Sequence, residues 1–178
     1  MRVVAGSARG LKLVPPDGDR VRPTLDRVRE ALFNIIGPDL PGAAFLDLYA
    51  GSGANGIEAL SRGAARAVFV DNHPESQACI RKNLASTKLE ERGQLTRNRL
   101  PEEMGRIGGT YDVIFADPPY NFTDYETLLV GIDRAGLLAA GGRVILEHAS
   151  KQDLPERAGR LERVRERRYG KTTLAFYA

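Results

Sequence analysis

The sequence predicts an α/β fold built on a mostly parallel, seven-stranded sheet with helices on both faces. Short apolar runs alternate with amphipathic helical segments from residue 44 onward, which is the pattern of a parallel sheet. Glycine and proline residues separate these segments. At the C-terminus, two strand-like runs at about 160–167 and 172–177 flank a turn-forming segment, and they predict a closing antiparallel hairpin.

The predicted elements follow one another along the chain. Thr24 is a good N-cap for a helix that ends near Ile36. Strands are predicted at 44–49, 67–71, 94–97, 111–116 and 143–147, and helices at 54–62, 74–86 and 124–135. Runs at 2–5 and 11–14 predict a short hairpin before them. We therefore expect residues 1–22 to form a basic N-terminal β-hairpin extension, and residues 23–178 to form the α/β domain.

Composition excludes several classes of protein. The chain has 178 residues, of which 42% are hydrophobic, so it can form a core and is not disordered. The single cysteine cannot form an internal disulfide. One cysteine and two histidines also fall short of the four ligands that a Cys/His zinc site needs. No apolar run approaches the roughly 18 residues that span a bilayer, and the N-terminus lacks a signal-peptide core. The expectation is a cytoplasmic monomer without a metal.

Charge is distributed unevenly along the chain. The formal net charge of +3 arises from +3 over residues 1–36, −4 over 37–150 and +4 over 151–178. If the two basic ends meet in space, they form a positive patch suited to a polyanion such as nucleic acid. The alternative is a solvated surface with scattered charge.

A glycine-rich loop predicts a nucleotide site. Gly51, Gly53 and Gly56 fit G-x-G-x-x-G between a strand and a helix, where the backbone turns tightly and approaches a ligand. Asp71 ends the next strand, 20 residues after Gly51, at the position from which an acid binds ribose hydroxyls. Asp47, four residues before Gly51, would repel a pyrophosphate and suits a cationic ligand. The pattern therefore favours S-adenosylmethionine over NAD.

A second motif follows the most apolar strand. Asp117, Pro118, Pro119 and Tyr120 form a stiff corner, in which the two prolines remove backbone donors and leave a carboxylate and a carbonyl as acceptors. Such acceptors suit an exocyclic amino group on a flipped base, and Tyr120 can stack on that base. A rigid turn with a purely structural tyrosine is the alternative reading.

Together these motifs resemble a known family. The run Asp47-Leu-Tyr-Ala-Gly-Ser-Gly53, followed by Asp117-Pro-Pro-Tyr120, resembles Rossmann-like class I methyltransferases that use S-adenosylmethionine and act on amino groups. More narrowly, Arg22-Pro-Thr-Leu-Asp-Arg-Val-Arg-Glu-Ala-Leu-Phe-Asn34 and Gly56-Ile-Glu-Ala-Leu-Ser-Arg-Gly63 resemble the RsmD family, whose members methylate the guanine N2 amino group of 16S ribosomal RNA in bacteria.

The resemblance implies roles for particular residues. It implies that Asp117, Pro118, Pro119 and Tyr120 hold the guanine. The cofactor would contact Thr24, Asp47, Tyr49, Gly51, Ser52, Gly53, Gly56, Asp71, Asn72 and Asn98, with Asp47 near the methionine part and Asn98 in a place where such enzymes often use an acid. The RNA would contact Arg2, Arg9, Lys12, Arg22 and Arg168. The implied substrate is 16S ribosomal RNA within a small-subunit assembly intermediate.

Three alternative functions remain open at the level of the sequence. The Asp-Pro-Pro-Tyr motif is shared with adenine-N6 methyltransferases that act on DNA or RNA, so it does not choose the base. A nicotinamide-dependent oxidoreductase would leave this motif unexplained. A non-catalytic RNA-binding assembly factor would keep the basic ends and treat the pocket as vestigial.

Overall fold

The structure is a computed structural model, which describes residues 1–16 and 23–178. These residues form four α-helices and eight strands. The helices are α1 (Pro23–Ile36), α2 (Ala54–Ser61), α3 (Pro74–Thr87) and α4 (Tyr125–Arg134). The strands are β1 (Ala44–Leu48), β2 (Arg66–Val70), β3 (Gly93–Thr96), β4 (Tyr111–Ala116), β5 (Leu138–Ala149), β6 (Arg157–Ala158), β7 (Leu161–Tyr169) and β8 (Thr172–Tyr177). None of the helices within these ranges has the length and apolarity needed to cross a membrane.

The strands form one sheet in the order β3-β2-β1-β4-β5-β8-β7-β6. The first five strands of this order are parallel, and β8, β7 and β6 join them in antiparallel pairs. This confirms the predicted α/β sheet and its C-terminal hairpin. The strand beyond the predicted seven is the two-residue β6, which is too short to leave a pattern in the sequence. Strand order reverses between β1 and β4, which opens a crevice at their carboxyl ends.

Alternating side chains of the strands divide the core into two layers. Phe45 of β1 packs with residues of α1, α2 and α3, and its ring stacks on Phe33 at a centroid distance of 6.2 Å. Leu46 and Leu48 point to the other face, where they share a cluster with Leu128 of α4. Because helices cover both faces, the central strands β1, β2 and β4 are buried along most of their length.

The N-terminal segment is less regular than predicted. Its two arms pair through one antiparallel bridge, Arg2 with Lys12, and through the backbone hydrogen bonds from the Val3 N–H to the Leu11 carbonyl and from the Leu13 N–H to the Met1 carbonyl, both at 3.0 Å. The carboxylate of Glu58 on α2 accepts the backbone N–H groups of Val4 and Ala5 at 2.8 and 3.0 Å. These donors are therefore bonded to a helix rather than to a partner strand. The domain boundary predicted at residue 22 falls among residues 17–22, outside the described part of the chain, and it stays a prediction.

Gly56 gives a test of how closely α2 packs on β2. A Cβ added at Gly56 would lie 2.2 Å from Cε1 of Phe69, whose ring is fully buried. We expect Gly56→Ala to lower the free energy of unfolding by about 1–3 kcal/mol, because the ring has no room to move. Chemical denaturation of the variant measures this loss. Gly105→Ala is the control, since an added Cβ there meets no atom within 4 Å; equal stability of both variants would contradict the packing argument.

Candidate active site

The glycine loop after β1 is held open by two carboxylates. Gly51 and Gly53 have φ angles of +54° and +76°, which residues with a side chain rarely adopt. Asp47, with 1% of its surface exposed, accepts the Gly56 N–H at 2.8 Å. Asp71 accepts the Gly51 N–H at 2.9 Å. Each acid thus binds the backbone of the loop and fixes its position relative to β1 and β2.

Asn83 of α3 supports the same loop from a third direction. Its side chain is fully buried, and its amide nitrogen donates to the carbonyls of Ser52 and Val14, both at 2.9 Å. Its amide oxygen accepts the Val14 N–H at 2.8 Å. The loop and the N-terminal segment are therefore tied to one side chain. Sequence analysis did not identify Asn83, because a single polar residue within a helix carries no signal of long-range contacts.

A cavity of about 580 Å³ at the carboxyl ends of the parallel strands unites the two predicted motifs. It is lined by the predicted site residues Tyr49, Gly51, Ser52, Asp71, Asn72, Asn98, Asp117, Pro118, Pro119 and Tyr120. Asp47, Gly53 and Gly56 are not among the lining residues. Asp47 is buried and supports the loop by accepting the Gly56 N–H, without reaching the cavity itself. Of Thr24 only the helical backbone lies within the description, and its side chain does not.

The Asp117–Tyr120 corner forms one end of this cavity. The Asp117 N–H lies 3.4 Å from the carbonyl of Leu48, so the corner starts where β4 is still paired with β1. Pro118 is buried, whereas Asp117 is exposed and Tyr120 has 78% of its surface exposed. Lys151 Nζ lies 5.4 Å from the centroid of the Tyr120 ring. A planar ligand could thus stack on Tyr120 while its edge meets the Asp117 carboxylate.

Glu147 is a second acid at this end of the cavity. Leu146 of β5 is in register with Ala116 of β4, so Glu147 and Asp117 follow at adjacent strand positions. Burial raises the pKa of Glu147 well above its ordinary value, and the nearby Asp117 raises it further. Sequence analysis placed Glu147 at a strand end but gave it no role. Its position in the sequence could have identified it, because it lies at the carboxyl end of the predicted strand that neighbours β4 in the sheet.

Tyr49 also faces the cavity with unused hydrogen-bonding capacity. Its φ angle is +58°, and its buried hydroxyl has no hydrogen-bond partner within the described ranges. Burial raises the pKa of Tyr49, so the phenol stays protonated and can donate. The ring contacts Phe122 at a centroid distance of 5.9 Å, and Phe122 in turn contacts Tyr125 edge-on at 5.0 Å. This aromatic cluster forms the floor behind the corner.

The other end of the cavity offers polar groups for a nucleoside. Asp71 uses its second oxygen to accept the His73 N–H at 2.9 Å, yet each carboxylate oxygen keeps a free acceptor position. The Thr96 hydroxyl donates to the amide oxygen of Asn98. A Cβ added at Gly51 would meet no protein atom within 4 Å, so the space above this glycine is open. This donor and acceptor set suits ribose hydroxyls and an adenine, without a phosphate.

Four of the five basic residues predicted to contact RNA are described, and these four lie outside the cavity. Arg2, Arg9 and Lys12 are exposed on the N-terminal segment. Arg168 is exposed near the end of β7, and its Nε donates to the Gly170 carbonyl at 3.0 Å. Arg22 lies outside the described residues. That these side chains form one RNA-binding surface stays a prediction.

Comparison with known proteins places these features in a family. The family model described as "Conserved hypothetical protein 95" matches residues 1–178. The chain is 39% identical over 180 residues to "Putative rRNA methyltransferase YlbH" of Bacillus subtilis (strain 168), which covers 99% of this chain and 98% of that protein. It is 36% identical over 155 residues to "Ribosomal RNA small subunit methyltransferase D" of Escherichia coli (strain K12), covering 87% and 78%.

Solved structures agree with the sequence comparison. The structure described as "Putative methyltransferase yhhF from Escherichia coli" matches with a TM-score of 0.85 at 32% identity, over 99% of this chain and 96% of that one. A more distant structure, SMU.776, was determined in complex with S-adenosylhomocysteine; it has a TM-score of 0.66 and 16% identity, over 89% of this chain and 50% of that one. At that identity the likeness shows the shared fold.

Replacing Asp71 tests the nucleoside end of the cavity. We expect Asp71→Ala to weaken binding of S-adenosylhomocysteine by about 10- to 100-fold, because it removes both the ribose acceptor and the support of Gly51. Isothermal titration calorimetry measures the affinity. Asp112→Ala is the matched control, since its carboxylate accepts the Ala44 N–H at the opposite end of the sheet. Equal affinities of the two variants would contradict the assignment.

Proposed function

The chain belongs to the RsmD family of ribosomal RNA small subunit methyltransferases, and we propose that it methylates the exocyclic N2 amino group of a guanine in 16S ribosomal RNA. One observation carries the proposal. A single cavity joins the glycine loop, which suits a nucleoside cofactor, to the Asp117–Tyr120 corner, which suits the amino group of a base. Donor and acceptor can therefore meet without a covalent enzyme intermediate.

The cofactor end of the cavity fits S-adenosylmethionine. We assign the ribose hydroxyls to Asp71 and the adenine to the neighbourhood of Asn72 and Asn98, since all three residues line this end of the cavity. The negative charges of Asp71 and Asp117 favour a ligand with a positive centre and disfavour a pyrophosphate. When bound, S-adenosylmethionine supplies a methyl group on a positively charged sulfur, which is a good leaving group.

The Asp117 corner prepares the amino nitrogen. The lone pair of an exocyclic amino group is delocalised into the base, so the nitrogen is a weak nucleophile. In our proposal the Asp117 carboxylate and the Pro118 carbonyl, both from residues that line the cavity, accept its two N–H bonds, which favours a pyramidal nitrogen with its lone pair toward the methyl group. This interaction accelerates the reaction because it strengthens as positive charge develops on the nitrogen. The proton is then lost to the Asp117 carboxylate or to water.

Glu147 favours guanine over adenine. The edge of guanine that carries the N2 amino group also presents an N1–H donor, whereas N1 of adenine is an acceptor. Glu147, beside Asp117, keeps an oxygen that can accept N1–H whether its carboxyl group is ionised or protonated. Two adjacent carboxyl groups thus match the row of donors on guanine.

In the proposed complex the target guanine is flipped out of the RNA and into the cavity. The exposed ring of Tyr120 can stack on a flipped base, and the nearby Lys151 can contact its phosphate. Phosphate contacts by Arg2, Arg9, Lys12, Arg22 and Arg168 would supply affinity with little sequence choice. We propose that the substrate is 16S ribosomal RNA within a small-subunit assembly intermediate, as the resemblance to the family implies, and that the base is selected by shape and by its extrusion from a loop.

Nucleoside analysis of the product tests this function. The protein is incubated with labelled S-adenosylmethionine and with one of two substrates, naked 16S ribosomal RNA or immature small-subunit particles. We expect it to methylate the particles more efficiently than the naked RNA. Digestion and mass spectrometry should then give N2-methylguanosine. Asp117→Ala should bind S-adenosylhomocysteine normally and lose about 100-fold or more in turnover, because the amino group loses its acceptor. N6-methyladenosine as the product, or full turnover by the variant, would contradict the proposal.

A pair of variants at Glu147 tests the choice of guanine. Glu147→Gln keeps an oxygen acceptor, so we expect a mild loss of methyl transfer. Glu147→Leu removes the acceptor, and we expect it to lose about 10-fold or more in kcat/KM for RNA while its affinity for S-adenosylhomocysteine is unchanged. Steady-state methyl-transfer assays measure both. Equal activity of the two variants would show that Glu147 does not read the base.

A further inference from the structure

Arg29 is a buried cation at the edge of the cofactor cavity, and neither the glycine loop nor the Asp117 corner explains it. It lies in the middle of α1, has 6% of its surface exposed, and lines the same cavity as Gly51 and Ser52. Its Nη2 donates to the Arg2 carbonyl at 2.7 Å and to the Asp26 carboxylate at 3.0 Å. A buried guanidinium is costly unless its charge and its donors are satisfied.

The hydrogen bonds of Arg29 leave part of this requirement unmet. Its Nε is buried and has no partner in the part of the chain that the structure describes. Its ionic partner Asp26 is much more exposed, with 38% of its side-chain surface accessible, so solvent weakens that pair. A guanidinium carries five N–H donors in a planar fork; the two on Nη2 are already used, so Nε–H is a donor that can form a charge-assisted hydrogen bond to an anion. The unused donor therefore points to an anionic ligand.

The charges around the cavity identify which anion this is. Asp71 at the nucleoside end and Asp117 at the corner would repel a negative group. A second cation, Arg99, also lines the cavity, but it is exposed to solvent, whereas Arg29 is buried. S-adenosylmethionine has one anionic group, the carboxylate of its methionine part. With the ribose at Asp71 and the sulfur directed to Asp117, the methionine part must leave along the remaining wall, beside Ser52 and Arg29.

We propose that Arg29 binds the methionine carboxylate of S-adenosylmethionine. The assignment rests on the cofactor part of the proposed function and is independent of which base is methylated. It also gives α1 a role in the site, because the same guanidinium holds the Arg2 carbonyl and so joins the N-terminal segment to the cofactor. Arg29 is a binding residue in this account and takes no part in proton transfer.

Two ligands separate this role from a structural one. S-adenosylhomocysteine carries the carboxylate, whereas 5′-methylthioadenosine has the same nucleoside and sulfur but lacks the amino-acid part. We expect Arg29→Met to weaken S-adenosylhomocysteine by about 10- to 100-fold and to leave 5′-methylthioadenosine within about twofold, by calorimetry. Arg27→Met, an exposed position on the same helix, is the control and should change neither affinity.

A loss of affinity that is confined to S-adenosylhomocysteine supports the role of Arg29. Equal weakening of both ligands by Arg29→Met, or unchanged affinity for S-adenosylhomocysteine, would overturn it. If Arg29→Met does not fold, Arg29→Lys replaces it: this variant keeps the charge but lacks the fork, and a selective loss for S-adenosylhomocysteine supports the proposal while no loss overturns it. Failure of the wild-type protein to bind either ligand would overturn the cofactor assignment, and this proposal with it, whereas an unexpected methylated base would leave it intact.

Discussion

Three buried polar side chains that hold one glycine loop are the constraint on which the site depends. Asp47 binds the Gly56 N–H, Asp71 binds the Gly51 N–H and Asn83 binds the Ser52 carbonyl. Each of these buried side chains is hydrogen-bonded to a backbone group of the loop or of the first turn of α2, so both partners of each bond are satisfied. The loop therefore keeps its left-handed glycines and stays open toward the cavity. Burial raises the pKa of Asp47 well above its ordinary value, which the Gly56 N–H partly offsets.

The topology of the sheet explains why the two halves of the site meet. Strands β1 and β4 are neighbours although they are far apart in sequence, and both end at the same edge. The glycine loop and the Asp117 corner thus line one cavity, with Glu147 added by β5. The acids at the corner and the buried cation Arg29 give the cavity wall an uneven distribution of charge, to which the exposed Arg99 also contributes. This asymmetry orients a ligand that carries a positive centre at one point and a carboxylate at another.

Much of the fold was predictable, because alternating apolar strands and amphipathic helices have strong local periods. The loop glycines, Asp71 and the Asp117 corner were predictable because their chemistry is tied to fixed spacings. Arg29, Asn83 and Glu147 were not, since their roles arise from contacts between residues far apart in the chain. The N-terminal hairpin is present but shorter than predicted, because Glu58 of α2 accepts the N–H groups of Val4 and Ala5, where the first predicted strand would have continued. Asp47 was predicted as a site residue, but its burial beneath the loop was not.

The central claim is that the cofactor lies along the glycine loop with its sulfur directed toward the Asp117 corner. A crystal structure of the protein with S-adenosylhomocysteine tests it most directly. The account predicts ribose hydroxyls within hydrogen-bond distance of Asp71 and the sulfur at the end of the cavity formed by Asp117 and Pro118. A ligand bound in the reverse direction, with its adenine against the corner, would contradict the account, as would a ligand bound outside this cavity.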